Sequence, residues 1–203
     1  MTDPNVSITG GASQATSPSL LERARANDRE AWDRIVYLYS PLMYSWCLRW
    51  GLQDADILDV SQEVMRSVFT HLNGFRKDRP NDSFRKWLKT ILRNRVFDFL
   101  SRTGRRPQAA LVDQPGTAQQ DESSSEDASE QKVVLRRALD LVKAEFKPQT
   151  WDAFWRVTVD ETPVADVAQA LGVSPNVVYL SRSRVLRRLS DQFAALIDDW
   201  TSE

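Results

Sequence analysis

The sequence predicts an all-α protein in which a flexible acidic linker joins two small helical domains. Only seven of its 203 residues are glycine, well below the average of ~7%, so few residues suit the tight turns of β-rich folds. Apolar residues recur every three to four positions through two long blocks, as in amphipathic helices. Between the blocks, residues 103–130 are acidic and almost free of aliphatic side chains after Val112, a composition typical of an extended linker.

The composition also indicates where the domains begin and end. Residues 1–18 are rich in Ser, Thr, Gly and Pro and have no apolar period, so they are predicted to form a disordered tail. The first helical domain is assigned to residues 19–102, the linker to 103–130 and the second helical domain to 131–203. Within the first domain we predict four helices, with a break near Pro41 and with Ser83 as the N-cap of the last one.

Several classes of function are excluded by residue counts. The chain has one His and one Cys, so it lacks the ligands for a structural zinc site and a partner for a disulfide. We find no phosphate-binding glycine loop and no paired acid and base. We therefore expect no catalytic site, no metal and no cofactor. No apolar run approaches the ~18 residues of a membrane span, and a secretion signal is not evident, so we expect a cytoplasmic location.

Although the net charge is only −1, the chain contains a basic segment, then an acidic segment, then a second basic segment. Residues 75–106 carry eleven Lys and Arg against three Asp, whereas residues 107–131 carry six acids and no Lys or Arg. Residues 174–190 then carry four Arg and no acid. Basic clusters attract phosphate backbones in a salt-sensitive way, although a charge run alone is also typical of a solvated helix face.

Residues 162–189 carry the pattern of a helix-turn-helix. Gly172 stands where the turn needs a left-handed residue, and Ala168 and Val178 have the spacing of residues that pack the two helices together. Ser174-Pro175 gives the second helix a cap followed by proline at its first position. In this motif the start of the second helix enters the major groove of DNA.

The predicted DNA contacts of this second helix follow from that geometry. Its beginning is expected to face base edges and nearby phosphates through Ser174, Pro175, Asn176, Tyr179, Arg182 and Ser183. The next turns are expected to hold phosphates through Arg184, Arg187 and Arg188. A helical hairpin with an arginine-rich face is the alternative interpretation.

The first block combines an acidic helix with a basic one. DADILDVSQEVMRSVF at 54–69 is acidic at its start, and FRKDRPNDSFRKWLKTILRNRVFDFLSR at 75–102 is basic and contains aromatic residues. An acidic face suits a basic protein partner. A basic helix with aromatic side chains suits single-stranded nucleic acid, in which bases stack and phosphates are exposed.

In this order, the three segments resemble the sigma-70 family of bacterial RNA polymerase initiation factors, in its small extracytoplasmic-function (ECF, group 4) type. The first is similar to the family's region 2.2, the second to regions 2.3 and 2.4, and the helix-turn-helix to region 4.2. The resemblance covers about residues 19–102 and 131–197. It implies a non-catalytic subunit that binds core polymerase, recognises the −10 and −35 promoter elements and assists promoter melting.

The resemblance also implies a role for particular residues. Docking on the clamp helices of the largest polymerase subunit is implied for Asp56, Asp59, Gln62 and Glu63. Capture of a flipped-out base of the −10 element is implied for the loop residues Arg76, Lys77, Arg79, Asn81 and Ser83. The path of that strand is implied to run along Lys86, Lys89, Arg93, Asn94 and Arg95. The second helix of the helix-turn-helix would read the −35 element, but its sequence departs from the pattern of many relatives, so no base preference carries over.

The implied partners are core polymerase (through its clamp helices and flap region), promoter DNA, and an anti-sigma factor or other regulator. Two other classes of function remain open at this point. A helix-turn-helix regulator would bind duplex DNA by itself, usually as a dimer. A helical interaction protein would bind no specific DNA.

Overall fold

The computed structural model describes residues 18–78, 82–105 and 120–196, without the side chains of 120–125. These residues form eight α-helices and one 3-10 turn at Leu72–Gly74, and they contain no β-strand, so the predicted all-α class is confirmed. The helices are α1 (Leu20–Arg25), α2 (Arg29–Arg49), α3 (Asp54–His71), α4 (Phe84–Arg102), α5 (Gln120–Lys143), α6 (Pro148–Thr158), α7 (Val164–Leu171) and α8 (Pro175–Phe193).

Side-chain caps fix where several of these helices begin. Ser19 and Glu22 form a reciprocal capping box at α1, and the Asp28 carboxylate accepts backbone hydrogen bonds at α2. Ser83 caps α4 as predicted: its hydroxyl accepts a hydrogen bond from the Lys86 backbone N–H at 3.1 Å. Each cap satisfies a donor that the first helical turn leaves without a partner.

The predicted break near Pro41 is wrong, because α2 continues through that residue. The chain turns earlier, between α1 and α2, where Asn27 has a φ of 61°. Proline removes one helical hydrogen bond, but Leu38 and Leu42 on either side are buried in the core. The packing of this long apolar face holds the helix together across the lost bond.

Helices α2, α3 and α4 form the centre of the first block. Trp46 and Tyr39 of α2 are fully buried, and the Tyr39 ring lies 5.0 Å from the ring of Phe84 in α4. The apolar residues of α3, such as Val60 and Val64, face this core. The core therefore holds α3 and α4 side by side with their charged faces outward.

The predicted flexible linker is partly wrong. Residues 120–130 are helical and form the first turns of α5. Their acids Glu126, Asp127 and Glu130 bind basic side chains of the first block, and these contacts offset the lack of apolar residues that made the segment look unstructured. The rest of the linker, from 106 to 119, and residues 1–17 of the predicted tail lie outside the described residues.

Helix α5 runs antiparallel to α2. Glu126 accepts from Arg49 at 2.8 Å, Glu130 accepts from the Trp46 indole at 2.6 Å, and Arg137 lies 3.8 Å from the ring centre of Tyr37. Apolar residues of α5 and of the end of α8 also join the core of the first block. The two blocks are therefore packed against each other through one shared core.

The helix-turn-helix has the predicted local geometry. Gly172 ends α7 in the left-handed conformation, with φ 64° and ψ 33°. Ala168 and Val178 are buried in a small separate core between α6, α7 and α8. Helix α8 then leaves this small core and reaches the first block, where the Leu196 carbonyl accepts a hydrogen bond from the Tyr39 hydroxyl at 2.6 Å.

Candidate nucleic-acid and partner interfaces

The acidic face of α3 is open to solvent at three of the four predicted positions. Asp59, Gln62 and Glu63 are exposed. Asp56 is half-buried and forms an ion pair with Arg105 at 2.6 Å, so its charge is already matched within the chain. Asp59, Gln62 and Glu63 are therefore available to a partner, whereas Asp56 holds a contact within the chain.

Exposed apolar residues extend this face, and sequence reasoning missed them. Leu58 is 65% exposed and Phe69 is 52% exposed, and Phe69 lies against Trp32 of α2 with ring centres 5.2 Å apart. The sequence could have revealed their exposure, because neither residue lies on the helix face that carries the buried residues of α3. Apolar side chains beside acids on an open surface are typical of a protein-binding site.

The predicted base-capture loop is described only in part. Arg76 and Lys77 are exposed and, with Arg25, Phe75 and Ala195, they line a cleft of about 430 Å³. Arg25 supports this loop by donating to the Phe75 carbonyl at 2.6 Å. Two predicted loop residues, Arg79 and Asn81, lie outside the described residues. The structure opposes the predicted contact between Ser83 and the base, because Ser83 is buried and its hydroxyl caps α4.

The five predicted residues of α4 differ in exposure. Lys86 and Asn94 are exposed, whereas Lys89, Arg93 and Arg95 are half-buried. Arg93 lies 5.3 Å from the ring centre of Phe97. The structure thus brings the five residues onto one helix but leaves only some of them fully open.

Lys89 is engaged in a contact between the two blocks. Its ammonium lies 5.5 Å from the Trp46 ring centre and donates to the Glu130 carboxylate at 3.3 Å. Arg85, one turn earlier on α4, is only 2% exposed. It donates to Asp127 at 2.8 Å and also to Glu130, so both cations of α4 meet the acidic start of α5.

The electrostatics of this cluster favour its charged form. Burial opposes ionisation of Asp127, but the hydrogen bond and the charge of Arg85 outweigh it and hold the pKa of Asp127 below its usual value. Sequence reasoning assigned no role to Arg85. Its position on the stripe of Leu88 and Leu92 could have revealed one, because a charge on a buried helix face requires a partner.

The N-terminal half of α8 presents most of the predicted duplex-binding set. Ser174, Pro175 and Asn176 are exposed at its start, Tyr179 is 57% exposed, and Arg182, Ser183 and Arg184 are exposed in the next turns. Ser174 is the N-cap residue, without a side-chain capping bond. The exposed positions fit a recognition helix whose first turns face a groove.

The last two predicted arginines of α8 contact acids of this chain. Arg187 pairs with Asp191 at 3.8 Å, and Arg188 binds Glu145 at 2.6 Å. Glu145 also accepts from Arg34 of α2 at 3.3 Å. Burial opposes the charge of Glu145, but Arg188 and its other donors hold the pKa of Glu145 below its usual value. Arg188 is therefore part of the contact between the blocks.

A second cleft, of about 900 Å³, lies between α5, α6 and α8. Leu135, Leu139 and Phe154 form apolar walls, and Tyr179 and Arg182 stand among its other lining residues. It gives the second block an apolar surface next to its recognition helix.

Within the described residues, no group of three or more potential ligands could hold a metal ion. In the same residues, none of the helices is long and apolar enough to cross a membrane. Cys47 is buried, and burial raises the pKa of its thiol to about 12.

The match to a known family falls on the first block. Residues 35–106, which contain α3, α4 and most of α2, match the family model described as Sigma-70 region 2. This part of the chain is similar to sigma-70 region 2. Helix α3, with its open acids, and the basic helix α4 both lie within the matched residues.

Two relatives agree with this sigma-70 match. The chain is 30% identical over 96 residues to the ECF RNA polymerase sigma-E factor of Haemophilus influenzae, which is 47% of this chain and 49% of that protein. It is 30% identical over 94 residues to the RNA polymerase sigma-H factor of Pseudomonas aeruginosa, which is 46% of this chain and 47% of that protein. The match spans about half the length of each relative. It confirms the resemblance to sigma-70 factors of the extracytoplasmic-function type.

Two solved structures are also similar to this chain, each at 20% identity and over 84% of the chain. One is CnrH in complex with the cytosolic domain of CnrY, with 92% of that chain covered and a TM-score of 0.37. The other is the RsbN–BldN complex, with 96% of that chain covered and a TM-score of 0.35.

Proposed function

We propose that the chain is an RNA polymerase sigma factor of the extracytoplasmic-function type. It binds core polymerase, recognises the −10 and −35 elements of a promoter and assists melting of the duplex. The match of residues 35–106 to sigma-70 region 2 carries this proposal. The open acidic face of α3 lies inside the matched residues, and its geometry supports the same function.

The docking face for core polymerase centres on Asp59, Gln62 and Glu63 of α3. Their exposure next to Leu58 and Phe69 supports this assignment, because acids steer a basic partner and apolar residues give the contact its area. The partner surface is the clamp helices of the largest polymerase subunit. The flap region of the polymerase is a second partner, for the second block.

The DNA-binding surfaces are the loop before α4, helix α4 and the start of α8. The exposed Arg76, Lys77 and Lys86 suit the phosphates of a separated strand. The exposed start of α8 suits the major groove of the −35 duplex. A flipped base costs a few kcal/mol of stacking, which contacts in a pocket offset.

Sigma factors are generally DNA-recognition proteins without enzymatic activity, and we extend that absence of activity to this chain. Core polymerase works in the bacterial cytoplasm, so a cytoplasmic location belongs to the same proposal. An anti-sigma factor or another regulator is a further partner that the resemblance to this family supports.

The docking face is tested by co-elution with bacterial core RNA polymerase on a sizing column. We expect a stoichiometric complex with the wild-type chain and its loss in the double variant Asp59→Arg, Glu63→Arg, because like charges then oppose the basic partner. The matched control is Asp140→Arg, Asp160→Arg, which reverses two exposed acids outside α3 and should leave the complex intact.

Three other outcomes would change the proposal. A complex that survives in the α3 variant would keep the class and move the docking face elsewhere. A complex that both variants lose would point to net charge rather than to this face. No complex with the wild type, together with tight binding of the free chain to duplex DNA, would favour the helix-turn-helix regulator.

A further inference from the structure

The first two turns of α8 expose three large apolar side chains within four positions. Val177 is 43% exposed, Tyr179 is 57% exposed and Leu180 is 44% exposed. Apolar side chains that stand together on an open surface indicate a contact with another molecule. Leu180 belongs to none of the surfaces described above.

Leu180 stands in a row of α8 that faces away from the core. At 3.6 residues per turn, Asn176 lies one turn before it and Arg184 one turn after it, and both are exposed. The buried residues Val178 and Ser181 mark the inward side of the same turns. An exposed leucine therefore occupies the middle of an otherwise polar outward row.

The other two exposed apolar residues have neighbours within the chain. Tyr179 lines the cleft between α5, α6 and α8, together with Arg182. Val177 shares its row with the buried Ser181, whose hydroxyl donates to the Val177 carbonyl at 2.8 Å. Leu180 follows Tyr179 by about 100° around the helix axis. It is thus the apolar side chain of these turns that stands farthest from both the cleft and the buried row.

The same turns carry no cation. From Ser174 to Ser181 the sequence holds no Lys or Arg, and the first cation of α8 is Arg182. In the major groove, Arg and Lys pair with guanine, whereas an apolar side chain contacts the C5-methyl group that thymine presents there. The chemistry of the first two turns therefore favours thymine over guanine.

We propose that Leu180 contacts the C5-methyl group of a thymine in the −35 element and is a specificity-determining residue of the second block. The inference rests on the proposed function, because it takes the start of α8 to lie in the major groove. It gives the −35 duplex a chemical requirement that the resemblance to the family does not supply. One A·T pair lies under the second turn of α8, with its methyl group toward the helix.

The first experiment compares base preferences on promoters with a randomised upstream element, transcribed by core polymerase with the full-length chain. We expect wild-type start sites to share a thymine at one position near −35. Leu180→Gln should lose this preference and keep the others, because an amide of similar length offers the methyl group no apolar surface. Leu180→Met should keep it, because its side chain is still apolar.

Leu48→Gln is the matched control for these variants. Leu48 is 43% exposed on α2, so the same substitution is made at the same exposure outside α8. The base preferences near −35 should not change in this variant. Since both leucines are exposed, we expect melting temperatures close to that of the wild type.

The second experiment removes the methyl group from the DNA instead. Deoxyuridine in place of the shared thymine should weaken promoter binding by wild-type chain and core polymerase about fourfold, the effect of one buried methyl group. With Leu180→Gln, the two promoters should bind equally. Deoxyuridine at another thymine of the same element is the DNA control and should have little effect. The wild-type measurement needs no variant, so it decides the question even if Leu180→Gln fails to fold.

The outcomes separate this inference from the proposed function. Start sites with the same base preferences for the wild type and Leu180→Gln would overturn the inference alone. Equal binding of the thymine and deoxyuridine promoters by the wild type would do the same. Weaker transcription from all promoters alike in Leu180→Gln would place Leu180 against the polymerase and overturn the thymine contact. No new start sites with the wild type would overturn the proposed function, and the inference with it.

Discussion

Single residues show where sequence reasoning worked and where it stopped. Ser83 was predicted as a helix cap and is one, because capping depends on a few neighbouring residues. Asp56 and Arg188 were predicted to face partners, but Arg105 and Glu145 bind them. Those two partners lie 49 and 43 residues away in the chain. A local pattern contains no information about such a distant contact.

Two ion-paired acids, Asp127 and Glu145, predict how stability depends on pH. Ion pairing holds the folded-state pKa of Asp127 and of Glu145 below the ordinary values of 3.8 and 4.5. Each acid therefore contributes stability that is complete above its ordinary pKa and is lost as the pH falls through its folded-state pKa. We expect the urea midpoint to hold steady from pH 7 to 5 and to fall below pH 4.5.

Glu145→Gln serves as the control for this pH dependence. The variant should be less stable than the wild type at pH 7 and should lose less stability between pH 4.5 and 3. Equal slopes for the two proteins in that range would contradict the role given to Glu145.

Elements were predicted well where one helix face decides them. The apolar period placed α3 and α4 correctly, because each packs one stripe against the core. The predicted break in α2 and the predicted linker at the start of α5 were wrong for opposite reasons. Proline suggested a break that packing on both sides overrides, and acidic composition suggested a linker where distant arginines stabilise a helix.

The turn of the helix-turn-helix gives a prediction for one glycine. Gly172 has a φ of 64°, and apart from the adjoining backbone no atom lies within 4 Å of the place where a Cβ would stand. An alanine there is strained only by its backbone, so we expect Gly172→Ala to lower the free energy of unfolding by about 1 kcal/mol in urea denaturation. Gly74, with equal space and no positive φ, is the matched control. Equal effects at both positions would show that the left-handed backbone of Gly172 is not the cause of the loss.

At the scale of the whole molecule, the two blocks share a core that the sequence did not reveal. Each block shows its own apolar period, so the presence of two helical blocks could be predicted. Their packing depends on particular pairs across the interface, such as Tyr39 with Leu196 and Arg34 with Glu145. No spacing within either block encodes these pairs. The candidate site shares this limit, because its loop and helices were predictable but the acids that cover Arg85 and Lys89 were not.

The proposed function is to direct core polymerase to particular promoters. The most direct test incubates core polymerase with and without the chain on a library of randomised upstream sequences and sequences the 5′ ends of the RNA. We expect new start sites that appear only with the chain and share two upstream elements, near −35 and −10. Start sites identical to those of core polymerase alone would contradict it.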